Sequence, residues 1–253
     1  MRFSLEKHHE VFKKLKIIQG AQYLIIEDTN RLNENELINA LSLLVKNQVM
    51  ERLKSVTILV GHQFNECVWE HLNQLDFHLH DTVVMVYQTL TDEHVKGPTT
   101  YQYKNLQEVS TSTFKGIWEE CLHGSLNARS RLSIDEHMDS VEEELGPGYL
   151  HNCLLAYENG HPIGMIIPHI EPGTEAEGRI FYLGVLPEER GKGRSRVLHQ
   201  DALSLLRDTY QAKTYIGSTS QNNIPMLKTL TNNGSKVVQM NHVYKWVNKE
   251  IVS

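Results

Sequence analysis

An α/β (α+β) architecture, a mixed central sheet flanked by helices, is what this sequence predicts, and three local patterns predict it. Before residue 92 a strand, an amphipathic helix and a second strand follow one another; at Asn159-Gly160 a hairpin is signalled; and after Val185 an apolar strand runs through a glycine-rich turn into a helix. Strands alternating with helices place helices on the faces of a sheet.

In the first part of the chain, Gln22 to Ile26 reads as a strand. Ile38, Leu41, Val45, Val49 and Leu53 fall on one helical face within Glu34 to Lys54, and Val56 to Val60 is a short β-branched strand. A polar stretch from Thr91 to Thr100, interrupted by Gly97-Pro98, accommodates no regular element. The domain boundary is placed there, giving one domain over 1–92, a linker over 93–100 and a second domain over 101–253.

The second domain opens on a short strand at Tyr101 to Tyr103, then two helices, Ser112 to Leu122 and Ile134 to Leu145, the latter with the capping-box pair Ser133 and Glu136. Cys153 to Tyr157 and Pro162 to Ile167 flank the Asn-Gly turn as the arms of a hairpin. Arg179 to Val185 is an apolar strand, ended by Pro187 because proline cannot continue a central ladder. A helix with Val197, Leu198, Ala202, Leu205 and Leu206 on its apolar face follows, then a strand from Lys213 to Ser218 and closing strands at Lys236 to Val238 and Val243 to Trp246.

Composition narrows the partners. The net charge of −6 with scattered basic residues offers no field for a polyanion, so neither nucleic acid nor an anionic membrane surface is expected as a partner. Cys67, Cys121 and Cys153 are three and widely spaced, which suggests reduced thiols. The first ten residues mix acidic and basic side chains where a signal peptide would need an apolar core, so a cytoplasmic protein is expected. No metal is expected: Cys67 and His71 stand one helical turn apart near His62, but spacing fixes no fourth ligand.

The chemistry lies in Arg190-Gly191-Lys192-Gly193-Arg194-Ser195. Glycines let the backbone approach a ligand closely, the helix that begins there adds partial positive charge, and Arg190, Lys192 and Arg194 can add charge-assisted contacts, so the turn is suited to a diphosphate.

Val185, Pro187, Arg190, Gly191, Gly193 and Ser195 meet, in register, the acyl-CoA motif of the GNAT superfamily, and Asn223, Met226 and Gly234 repeat its second hallmark. From Tyr101 to Val247 the chain thus resembles a GNAT acyl-CoA N-acyltransferase. The resemblance implies acetyl-CoA as cosubstrate and a primary amine, on a small molecule or a protein, as the acceptor that attacks the thioester directly. By the same resemblance the edge of Leu183, Gly184 and Val185 would hold pantetheine, with the Val185 N–H polarising the thioester carbonyl. Arg190, Gly191, Lys192, Gly193, Arg194 and Ser195 would hold the pyrophosphate, and Asn223 would contact pantetheine or cap its helix.

Two departures from the family pattern bear on catalysis. Leu230 stands where many relatives place a tyrosine that protonates the leaving thiolate, and Tyr182 stands where many place a carboxylate base. Tyr182 is therefore the catalytic candidate, with packing in the sheet as its other reading, and a non-catalytic acyl-CoA-binding or sensing module is the alternative function. His169 and Glu171 read as solvated loop residues. The acceptor is left to the loops Gly124 to Arg131 and His169 to Gly178, and the oligomeric state is not legible.

The first half carries an echo of the second. Asn65 to Asp76 spans eleven positions, as does Asn223 to Gly234, with matching strands before and after. Residues 1–92 are read as a degenerate GNAT-like half, one that should not bind coenzyme A because Asp28 to Glu34 brings acids and no glycine to the place of the phosphate turn.

Overall fold

A computed structural model of the chain describes residues 10–20, 22–91, 99–130 and 132–249. The chain divides into two compact units, Met1–Val83 with Gln239–Ser253, and Val84–Val238. Of the expected linker, residues 93–98 lie outside the described residues.

In the first unit β1 (Lys16–Gln19) pairs antiparallel with β2 (Tyr23–Glu27), and β2 pairs parallel with β3 (Ser55–Gly61) across α1 (Glu34–Val45). The single helix expected from Glu34 to Lys54 is shorter than the sequence suggested. It stops at Val45 because the Asn47 side chain accepts the Val49 N–H at 3.0 Å and starts a separate 3-10 turn, Gln48–Arg52. The buried face is accordingly Leu37, Ala40, Leu41 and Leu44, which join Leu24, Val56, Ile58 and the α2 (Glu66–Gln74) residues Val68 and Leu72 in one core. β4 (His78–Thr89) then leads from this unit into the second.

Two details make the internal echo geometric. Asn65 caps α2 by accepting the Cys67 N–H, as Asn223 caps its helix by accepting that of Met226, and Asp76 and Gly234 both follow with left-handed backbone, φ 62° and 97°.

The second unit contains β5 (Gln102–Asn105), α3 (Thr111–Leu122), α4 (Ile134–Leu145), the single-turn α5 (Tyr149–Asn152), β6 (Leu154–Glu158), β7 (His161–Ile170), β8 (Glu177–Val185), α6 (Arg194–Asp208), β9 (Thr214–Ser220) and α7 (Ile224–Asn232). Its strands lie in the order β4-β9-β8-β7-β6-β5, with β8 and β9 parallel and β5 to β8 antiparallel. The expected hairpin is β6–β7, its turn made by Asn159 and Gly160 at φ 51° and 81°. The two closing strands of the sequence reading are one, β10 (Lys236–Val247), which pairs antiparallel with β3 from Asn241 to Val247.

Helices cover both faces of the second unit's sheet. Met165 and Ile167 of β7 pack with Trp118, Phe114 and Val141 from α3 and α4, while Ile166 and Val185 pack with Leu198 and Ala202 of α6. On the buried face of α6, His199 lies beside Tyr215, its Nδ1 taking the Asn233 side-chain N–H at 3.0 Å, and burial pushes its pKa down to about 3. The folded protein therefore keeps this imidazole neutral where the unfolded chain, with a pKa of about 6.5, takes up a proton. Stability falls as pH drops from about 6.5 toward 3, by up to about 1.4 kcal/mol per pH unit from this group. Urea midpoints measured from pH 7.5 to 4.5 should decline less steeply in a His199→Gln variant than in the parent; parallel slopes would contradict this.

Candidate acyl-CoA site

β8 keeps its ladder with β7 as far as Val185, but with β9 it pairs only at Glu177–Thr214 and Gly178–Tyr215. Beyond Gly178 the two parallel strands part, and the edge of β8 that includes Leu183, Gly184 and Val185 borders the opening. The ladder with β7 skips one residue of β8 between Ile180 and Leu183, a bulge. Two consecutive side chains, Phe181 and Tyr182, thereby face the same way and both meet Trp118, ring centres 6.5 and 5.3 Å away.

Past Val185, the chain makes a 3-10 turn at Pro187–Glu189, extends through Arg190 and reaches α6 through Gly191 and Gly193, both left-handed at φ 76° and 77°. α1, α2, α3, α4 and α7 each start under a side-chain cap, from Asn33, Asn65, Ser110, Ser133 and Asn223. α6, 15 residues long, starts at Gly193 with none. Its first amides and its dipole are available to an anion. In the first unit the start of α1 is closed from within: Glu36 accepts the Asn33 N–H and Asn33 accepts that of Glu36.

The three cations of the turn are engaged by the protein itself. Arg190 donates to the carbonyls of Val185 and Cys121 at 3.1 and 3.0 Å, which ties the turn to the ends of β8 and α3. Lys192 pairs with Glu189 at 2.9 Å. Arg194 makes a bidentate pair with Glu158 at 2.7 and 2.6 Å and a further bond to Glu189 at 3.1 Å; hydrogen bonding to Arg194 in turn holds the Glu158 carboxyl below the usual range. The side chains thus brace the turn, and the main chain is what it presents. Ser195 meets Thr229 of α7 at 3.0 Å between hydroxyl oxygens.

Asn223 accepts the Met226 N–H at 3.2 Å and donates its side-chain N–H to Asn127 at 3.0 Å. The cap is made, so the polar contact left to a ligand is the one Asn127 holds. Asn127 and Glu158 are the two polar residues that sequence reasoning missed: neither lies in a motif, and only folding brings the α3–α4 loop and the hairpin tip to this end of the sheet.

Tyr182 is partly buried, and burial raises its pKa above the ordinary value, keeping it a neutral phenol. Leu230 is packed in the apolar core with Leu203, Leu206 and Tyr215. Burial pushes the Cys121 and Cys153 thiols up to about 12, which removes both as nucleophiles near neutral pH. His169 and Glu171 are not solvated: they are 3% and 7% exposed. They stand in a charged cluster in which the His169 ring lies 3.6 Å from a Glu144 oxygen and Glu171 3.6 Å from Arg179. Strand pairing at His169–Arg179 brings together two polar positions that are separated in sequence. Among the described residues no helix is long and apolar enough to cross a membrane.

Residues 111–232 match the model of the acetyltransferase (GNAT) family. Solved structures share the fold at low identity. A GCN5-related N-acetyltransferase from Sphaerobacter thermophilus superposes with TM-score 0.62 at 12% identity, over 92% of this chain and 76% of that one. A GCN5-related N-acetyltransferase from Kribbella flavida gives 0.55 at 9%, over 96% and 93%. A tandem GNAT protein from the clavulanic acid biosynthesis pathway gives 0.54 at 12%, over 92% and 78%. No curated protein matches the chain by sequence.

Proposed function

Residues 111–232 form a domain of the acetyltransferase (GNAT) family, and on that premise we propose that the chain is an N-acetyltransferase moving the acetyl group of acetyl-CoA onto a primary amine of a small molecule or a protein. The observation that carries this reading is the uncapped start of α6 behind two left-handed glycines, beside the place where β8 and β9 part. Gly191, Lys192, Gly193, Arg194 and Ser195 would seat the diphosphate on their amides, Arg190 would brace that turn, and the β8 edge at Leu183 to Val185 would pair with pantetheine.

The reaction proposed is direct attack. The neutral amine nitrogen bonds to the thioester carbon, the C–S bond breaks, the coenzyme A thiolate leaves, and the proton lost by nitrogen passes to solvent. Support for attack without an enzyme thioester comes from Cys121, the thiol nearest Tyr182, being held protonated by burial. Tyr182, a neutral phenol, is assigned to lining the acyl site. The three free thiols fit a reducing cytoplasm, where we place the reaction.

A second reading, a module that binds acyl-CoA without turning it over, is favoured by Leu230, whose position in the core offers the leaving thiolate no acid. Free-thiol release from acetyl-CoA across a panel of primary amines separates the two. Turnover with a subset of amines is expected, saturable binding without release would select the module, and absence of acetyl-CoA binding would overturn both.

A further inference from the structure

One oxygen beside the parting of β8 and β9 collects more hydrogen bonds than its own loop requires. Asn127, in the exposed α3–α4 loop, turns its side-chain carbonyl toward the end of β9 and the start of α7. There it accepts from the Thr219 hydroxyl at 3.0 Å, the Ser220 N–H at 3.3 Å and the Asn223 side-chain N–H at 3.0 Å. The donors are held in place: Thr219 and Ser220, at the end of β9, are 5% and 2% exposed, and Asn223 is fixed as the cap of α7 by its bond from Met226. The acceptor belongs to a run, 123–130, in which every residue is exposed. Three converging donors more than saturate a carbonyl oxygen with two lone pairs, and such convergence suits recognition of one oxygen of defined position.

With Asn223 already expected at the pantetheine arm, we propose that Asn127, held by Thr219, Ser220 and Asn223, is an internal surrogate for an amide carbonyl oxygen of that arm and must leave before the arm seats. This rests on the acyl-CoA reading above and adds a competitor within the chain to it. The chemistry matches group for group, since the Asn127 carboxamide and the pantetheine amide present the same oxygen to the same donors. Position matches as well: β9 has no pair with β8 beyond Tyr215, so its last residues border the opening into which the arm would run. The asymmetry between fixed donors and an exposed acceptor identifies the partner that moves.

The test uses the full chain, titrated calorimetrically with coenzyme A and, separately, with adenosine 3′,5′-bisphosphate, which lacks the pantetheine arm. Asn127→Ala removes the competitor and should tighten coenzyme A roughly fivefold to tenfold, leaving the bisphosphate unchanged. Asn127→Asp keeps an acceptor, now charged and more strongly held, and should weaken coenzyme A relative to the parent. Unchanged or weaker coenzyme A binding by Asn127→Ala would overturn the proposal, as would equal tightening of both probes. A parent protein that fails to bind coenzyme A would instead bring down the acyl-CoA reading itself, a result distinct from a parent that binds and a variant that gains nothing.

Discussion

Valine at both Gly191 and Gly193 should lower acetyl-CoA affinity roughly a hundredfold or more while the chain stays folded. Each glycine sits at positive φ, 76° and 77°, where a side chain costs about 1–2 kcal/mol, yet a Cβ added at either would meet no atom within 4 Å. Strain, not collision, is the folding penalty, and the turn relieves it by rotating toward negative φ. That rotation redirects the amides before α6. Charge-assisted contacts are worth about 1.5–3 kcal/mol each, so losing two of them gives the expected fall. Because Arg190, Lys192 and Arg194 are already paired with Val185 and Cys121 carbonyls, Glu189 and Glu158, they are poorly placed to compensate. Calorimetry with acetyl-CoA, alongside thermal unfolding, reads both quantities; near-parental affinity in the folded double variant would refute the main-chain cradle.

Much of this was legible in the sequence because it is local. Proline after an apolar strand, two glycines before an amphipathic helix, Asn-Gly between strands and Ser133 three residues ahead of Glu136 each act within a few residues, and each produced the element expected. Where a second local signal competed, the sequence misled: the apolar face from Ile38 to Leu53 outlasts the helix because Asn47 restarts the chain as a 3-10 turn. Long-range pairing was out of reach. Nothing near Glu158 announces that it will hold Arg194, 36 residues on, or near Asn127 that it will reach β9, 92 residues on. His169 and Glu171 looked solvated because burial of charge depends on partners that only strand register supplies.

Alanine at Gly164 should cost about 3 kcal/mol of stability and weaken acetyl-CoA binding as well, although this glycine lies in no ligand motif. Its φ is ordinary, so the cost is spatial. A Cβ there would stand 2.2 Å from the carbonyl oxygen of Gly184 and 3.1 Å from both the Val185 Cα and a Leu198 methyl. Two of the three obstructing atoms are backbone, and no rotamer relieves them. β7 and β8 have to move apart where Gly164 pairs with Val185, at a cost near the upper end of the usual range for an overpacked core. The segment displaced includes Gly184 and Val185, the edge proposed to hold pantetheine, so folding and binding should suffer together. Gly160→Ala is the matched control: its φ is 81° and a Cβ there would have no neighbour within 4 Å, so only conformational strain of about 1–2 kcal/mol applies. Urea unfolding should rank Gly164→Ala well below Gly160→Ala, with acetyl-CoA affinity reduced only in the former. Equal midpoints would mean that the two strands tolerate separation, and the β8 edge would then be too compliant to position a thioester.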